Sequence, residues 1–218
     1  MWSYFKNPNL WFTLASVIIA ILALIQTNRH IKVNNRQQLF ARRLDKYIVI
    51  KDLLNLYNST RPHFCDDIIL SMGFQFDLLT NVSYLSDMRF VMSESPNNEA
   101  QNAFLGKCEL LEKYAVEVSI LWNDVSGINF SNFIRTYKDL LYKLYQQKVS
   151  VNSYKQYNKQ VNENTELIYD SPTMKQKLLN NAKRTKLFET IDKLNDIYDK
   201  IKNERFEERL IETLKLKD

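Results

Sequence analysis

The chain has 218 residues, 45% of them hydrophobic, and a formal net charge of +5. That apolar fraction excludes a disordered chain, and 3 Gly with 4 Pro argue for long helices over a fold of strands and tight turns. Cys65 and Cys108 are too few for a disulfide framework, and much of the modest positive charge lies beside one apolar run, which favours a lipid contact over nucleic acid.

That run, Leu10 to Ile25, reads LWFTLASVIIAILALI without a charge. A helix of about 20 apolar residues crosses a bilayer core, and the uncharged Asn9, Gln26 and Thr27 extend this one. Trp2, Tyr4, Phe5, Trp11 and Phe12 supply an aromatic belt at one end. Asn7-Pro8 fits an N-cap followed by the first helical residue. A cleaved leader would carry a basic n-region and a small-x-small site. Lys6 is the only early charge, and Ala23 to Arg29 offers no such site, so the segment reads as an uncleaved anchor.

Downstream come Arg29, Lys32, Arg36, Arg42, Arg43 and Lys46, opposed only by Asp45. The positive-inside rule then puts the short N-terminal tail outside and the rest in the cytoplasm of a single-pass cell-membrane protein. The six basic residues suit anionic headgroups, at about 1 kcal/mol each near the surface.

Thr13, Ser16, Ala20, Ala23 and Thr27 recur at helical spacing and form one small-residue stripe, the kind of face on which membrane helices approach closely. The same spacing continues through His30, Asn34, Gln37, Ala41, Leu44 and Ile48. No Pro or Gly falls between Pro8 and Pro62, so one helix of about 50 residues, roughly 75 Å long, is expected. A small stripe followed by a polar seam fits a self-associating stalk, with pore lining as a further step. The plainer reading is that small residues are common in such helices and that the polar stripe is solvated.

The remaining chain reads as an all-α cytoplasmic helical bundle. Leu44, Tyr47, Ile48, Leu53, Leu54 and Tyr57 make a core-facing period that stops before Pro62. A second helix is expected over 66–92, where Gly73 would mark a close crossing. A turn at 93–98 precedes a third helix over 99–122, its buried set Phe104, Leu105, Leu111, Tyr114, Ala115, Val118, Leu121 and Trp122. Asn123 to Gly127 reads as its closing turn, and a fourth helix is expected to open near Ser131, with a polar continuation over 146–166. Ser171-Pro172 starts a last helix with no later Pro or Gly, in which Leu187, Ile191, Leu194, Tyr198 and Ile201 form a short heptad-like seam. The expected organisation is 1–27 anchor, 28–60 juxtamembrane stalk, 61–170 bundle and 171–218 long C-terminal helix.

Few residues are arranged for catalysis or metal binding. His63-Phe64-Cys65-Asp66-Asp67 contains metal-ligand residue types, but His30 and Cys108 form no second cluster at ligand spacing. Gly73, Gly106 and Gly127 are isolated, so no phosphate loop exists, and no Cys-x-x-Cys occurs. Neither histidine follows an Arg at the spacing of helical ribonucleases of the HEPN type. Asp66-Asp67 and Glu207-Glu208 read as solvated surface runs. Lys and Tyr interleave between Tyr137 and Tyr157, a pattern that suits single-stranded nucleic acid, although an amphipathic helix with core tyrosines explains it more simply. No catalytic, cofactor-binding or metal residue is expected, and the chain reads as a non-enzyme.

Gln37 to Tyr47 (QQLFARRLDKY), directly after a single anchor, together with Leu79 to Leu85 (LTNVSYL) and Phe133 to Tyr137 (FIRTY), resembles a largely uncharacterised group of small membrane-anchored helical proteins of low-GC Gram-positive bacteria. The resemblance covers roughly 10–150. It implies an association with mobile elements and with defence against phage, and it carries over no catalytic residues. The expectation is a membrane-anchored, non-enzymatic effector of abortive-infection type that acts by homo-oligomerisation in the bilayer. A membrane-tethered adaptor for a cytoplasmic protein partner is the alternative, and a cytoplasmic sensor of nucleic acid or nucleotide a weaker one.

Overall fold

The structure, a computed structural model, describes residues 8–64, 68–93, 97–161 and 172–214. Among them helix is the only regular element: α1 Pro8–Thr60, α2 Ile68–Leu79, α3 Asn98–Leu121, α4 Val125–Val161, α5 Pro172–Arg184, α6 Leu187–Asn203 and α7 Phe206–Leu214. Two 3-10 segments, Arg61–His63 and Ser86–Met92, join them. The chain divides into two compact units. One comprises Met1–Leu44 and Leu214–Asp218, the other Asp45–Thr213.

The second unit is built around α4, against which α2, α3, α5 and α6 all pack. The buried face of α4 carries Phe130, Phe133, Ile134, Tyr137, Leu140, Leu141 and Leu144 at helical spacing. It packs against α3, where Phe104, Leu111, Ala115 and Val118 are buried, and against α6, whose five heptad-like seam residues are buried. Leu105, expected inside, is exposed on the outer side of α3.

The core face of α1 within this unit is Val49, Ile50, Leu53, Leu54 and Tyr57. Leu44 and Ile48, expected in the core, are 38% and 52% exposed. At 100° per residue they project from the side of the helix opposite to Leu53 and Tyr57, so one helix cannot bury both sets against one neighbour.

The expected second helix over 66–92 is split. The α-helix ends at Leu79, and the chain turns before a 3-10 run begins at Ser86. Thr80 donates its hydroxyl to Phe76 O at 2.8 Å, and Tyr137 donates to Leu79 O at 2.5 Å. A core tyrosine thus takes a carbonyl that a further helical turn would have used. Gly73 marks no close crossing, because a Cβ there would meet nothing within 4 Å.

α4 opens at Val125 rather than Ser131. Asp124 is its cap, accepting from Gly127 N at 2.8 Å. Gly127 therefore belongs to the first turn of α4 and does not close α3. A Cβ on Gly127 would lie 1.8 Å from Trp122 O, so the α3–α4 connection folds over this position and only glycine fits.

The segment 171–218, expected as one long helix, holds three among its described residues. The breaks fall at Lys186 and Arg205, the two non-glycine residues with positive φ among the described residues, 58° and 52°. Each turn leaves the following helix free to keep an apolar face inward: Leu187, Ile191 and Leu194 on α6, Phe206 and Leu210 on α7. A straight helix of this length drifts off any one stripe. Lys143 of α4 holds the first break, donating to Lys186 O at 3.1 Å and to the Thr190 hydroxyl.

Candidate functional site

Within α1, the residues from Trp11 through Gln38 are all exposed. None of its apolar stretch is buried. It is the one helix among the described residues that is long and apolar enough to cross a membrane. Phe12 is 73% exposed, Ile19 66% and Leu24 65%. A core helix of a water-soluble fold would hide such side chains, each worth about 1.5 to 3 kcal/mol on full burial. Leu, Ile and Ala are frequent here, and Pro8 is the first helical residue, where a missing N–H costs nothing. Asn7, read as the cap, and most of the aromatic belt lie outside the described residues.

Thr13, Ser16, Ala20, Ala23 and Thr27 lie on this exposed helix. Ser16 donates to Phe12 O and Thr27 to Ala23 O, each at 2.8 Å. Both hydroxyls are thus satisfied within the helix, which lowers the cost of placing them in hydrocarbon. His30, Asn34, Gln37, Ala41 and Leu44 are exposed as well.

The six basic residues read as headgroup contacts separate into two groups. Arg29, Lys32, Arg36 and Arg42 are exposed, and Arg43 is half-buried. Lys46 is occupied otherwise: its ammonium pairs with Glu117 at 2.8 Å and Asp45 at 2.9 Å, over the Tyr114 ring. Burial opposes its charge, but hydrogen bonds to Glu117 and Asp45 prevail and hold the group above its ordinary value. Lys46 is a packing residue, and a lone sequence position does not reveal that Glu117 will reach it.

Elsewhere, ionised groups serve packing. Glu112 accepts from Arg135 at 2.9 Å and Lys138 at 2.6 Å, which keeps its carboxyl below the usual range. The Cys108 thiol is pushed up to about 11, mainly by burial, which disfavours the nucleophilic thiolate. His63 sets its ring edge-on to Phe74 at 5.6 Å. Among the described residues no group of three His, Cys, Asp or Glu side chains is placed to hold a metal. Cys65, Asp66 and Asp67 lie outside them.

A groove of about 280 Å³ runs between α4 and α5, lined by Tyr145, Gln146, Val149, Ser150, Asn181, Arg184 and Thr185. Its floor is a satisfied polar network: Asn181 donates to Gln147 Oε1 at 2.7 Å and to Ser150 at 2.9 Å, and Gln147 donates to Leu178 O at 2.7 Å. Tyr142 and Tyr145 stand nearby, ring centroids 6.5 Å apart.

Compared with protein-family models, curated proteins and solved structures, the chain matches none of them.

Proposed function

We propose that α1 anchors the protein in the cell membrane by a single pass, N-terminus outside, with the following helices forming a cytoplasmic bundle. The exposed apolar surface from Trp11 to Ile25, followed by Arg29, Lys32, Arg36 and Arg42, carries this reading. Ten Leu, Ile, Val or Phe residues from Leu10 to Ile25 contribute roughly 3 to 6 kcal/mol to insertion, before Thr13 and Ser16 are charged against it. The activity is that of a non-enzymatic effector of abortive-infection type: the chains assemble through the stripe from Thr13 to Thr27 and disturb the bilayer. The internally bonded Ser16 and Thr27 hydroxyls support close helix approach there. Blue-native electrophoresis of full-length protein tests assembly. The double variant Ser16→Leu, Ala20→Leu should run as a smaller species, and an unchanged oligomer would sink the proposal.

A tethered adaptor is the second reading, favoured by the exposed Ile120, Val125 and Ile128 around the α3–α4 turn. Exchanging 10–27 for an unrelated monomeric membrane helix separates the two. An adaptor keeps its cellular activity, and an assembling effector loses it.

A further inference from the structure

From Leu140 to Phe188 the sequence holds nine Lys or Arg and three carboxylates, a net +6 against +5 for the whole chain. The three carboxylates, Glu163, Glu166 and Asp170, fall together between α4 and α5, outside the described residues. From Leu140 through Val161 on α4, and from Pro172 on α5 through Phe188, there is no acidic residue at all. Folding sets these two carboxylate-free stretches against each other, because α5 packs on α4. Lys177, Lys183, Arg184 and Lys186 are exposed there, and Lys148 is half-buried. Two carboxylates stand at its margin: Asp139 faces Lys143, and Glu189 faces Lys143 and pairs with Lys186 at 3.5 Å, an exposed contact that a phosphate can replace.

Charge is joined by an aromatic platform. Tyr142 is 42% exposed, with its ring stacked on Phe104 at 6.3 Å. Tyr145 lies 4.8 Å from Phe104 and lines the same groove as Arg184. These contacts fix both tyrosines before any ligand arrives, so little side-chain entropy is lost on stacking. Phosphate-tracking cations beside rigid aromatic faces are what unpaired bases on a backbone require, and a duplex offers no free base face.

We propose that the α4–α5 face binds single-stranded nucleic acid, with Lys183, Arg184 and Lys186 on the phosphates and Tyr142 under a base. The assignment does not depend on the anchor or on assembly.

Full-length protein in neutral detergent micelles, titrated against a fluorescent single strand of about 20 nucleotides, tests it by anisotropy. The variant Lys183→Gln, Arg184→Gln, Lys186→Asn should bind at least about tenfold more weakly, and the slope of log affinity against log salt should shrink by about 2. Tyr142→Leu should cost about tenfold, and Tyr142→Phe should restore binding. Unchanged circular dichroism melts would establish that each variant is folded; a variant that melts early is replaced by its single substitutions. Absence of wild-type binding at about 50 mM salt overturns the assignment, as does a triple variant that binds normally. If Tyr142→Leu has no effect, the single-strand assignment falls. If the triple variant instead loses only its retention on phosphatidylserine-containing micelles, the face is a lipid contact and the assignment fails.

Discussion

Arg61 and Asp199 are joined by two parallel hydrogen bonds, 2.5 and 2.7 Å long, across 138 positions of sequence. The guanidinium stands just past the end of α1 and the carboxylate on α6. Around them Tyr57 donates to Asn195 and Tyr198 to Asn58, both at 2.8 Å, so the α1–α6 seam is closed by polar groups over an aromatic interior. The hydrogen bond from Arg61 holds the Asp199 carboxyl below its ordinary 3.8. A carboxylate with a depressed folded value stabilises the native state above the unfolded value, and loses that contribution as pH falls through the folded one. Both groups are partly exposed, which limits the pair to about 1 kcal/mol. Urea denaturation should show Asp199→Asn destabilising at pH 7 and converging on wild type below the carboxylate range. A difference that persists undiminished at low pH would refute the linkage.

The isolated glycines should respond in opposite directions. Gly73 sits within α2 with open space around it, so Gly73→Ala should stabilise by about 1 kcal/mol. At Gly127 the added Cβ collides with Trp122 O, and Gly127→Ala should cost about 3 kcal/mol. Thermal melts of the two variants should shift to either side of wild type.

Lys186 and Arg205 hold left-handed backbone without being glycine. That conformation costs roughly 1 to 2 kcal/mol for a side chain with a Cβ. Arg205→Gly should therefore stabilise by about 1 kcal/mol, since the 3.9 Å contact of its side chain with Glu208 is exposed. A β-branched Arg205→Val should destabilise instead. Denaturant midpoints with unchanged slopes would read both effects as stability.

The anchor has its own test. Ile18→Lys with Leu22→Lys places two charges in the middle of the apolar run, at about 2.5 to 3.5 kcal/mol each. Wild type should resist alkaline carbonate extraction from membranes, and the variant should appear in the supernatant. Wild type in the supernatant would remove the basis for a single-pass protein.

What could be read from the residues alone was whatever depends on neighbours along the chain. The uncharged run from Leu10 to Ile25, the long α1 that contains it, the all-helical content and the buried face of α6 are local patterns of this kind. The breaks at Leu79, Lys186 and Arg205 were not legible, because no Pro or Gly marks them. They exist because Tyr137 captures a carbonyl of α2, and because the successive apolar faces of α5, α6 and α7 must each turn inward. Packing likewise chose Val49, Ile50 and Leu53 over Leu44 and Ile48 as the core face of α1, and gave Lys46 to Glu117. The basic α4–α5 face lies between these cases. Its missing carboxylates are countable in the sequence, but two helices become one charged surface only when the chain folds them together, since electrostatic potential sums over distance in space and not along the backbone.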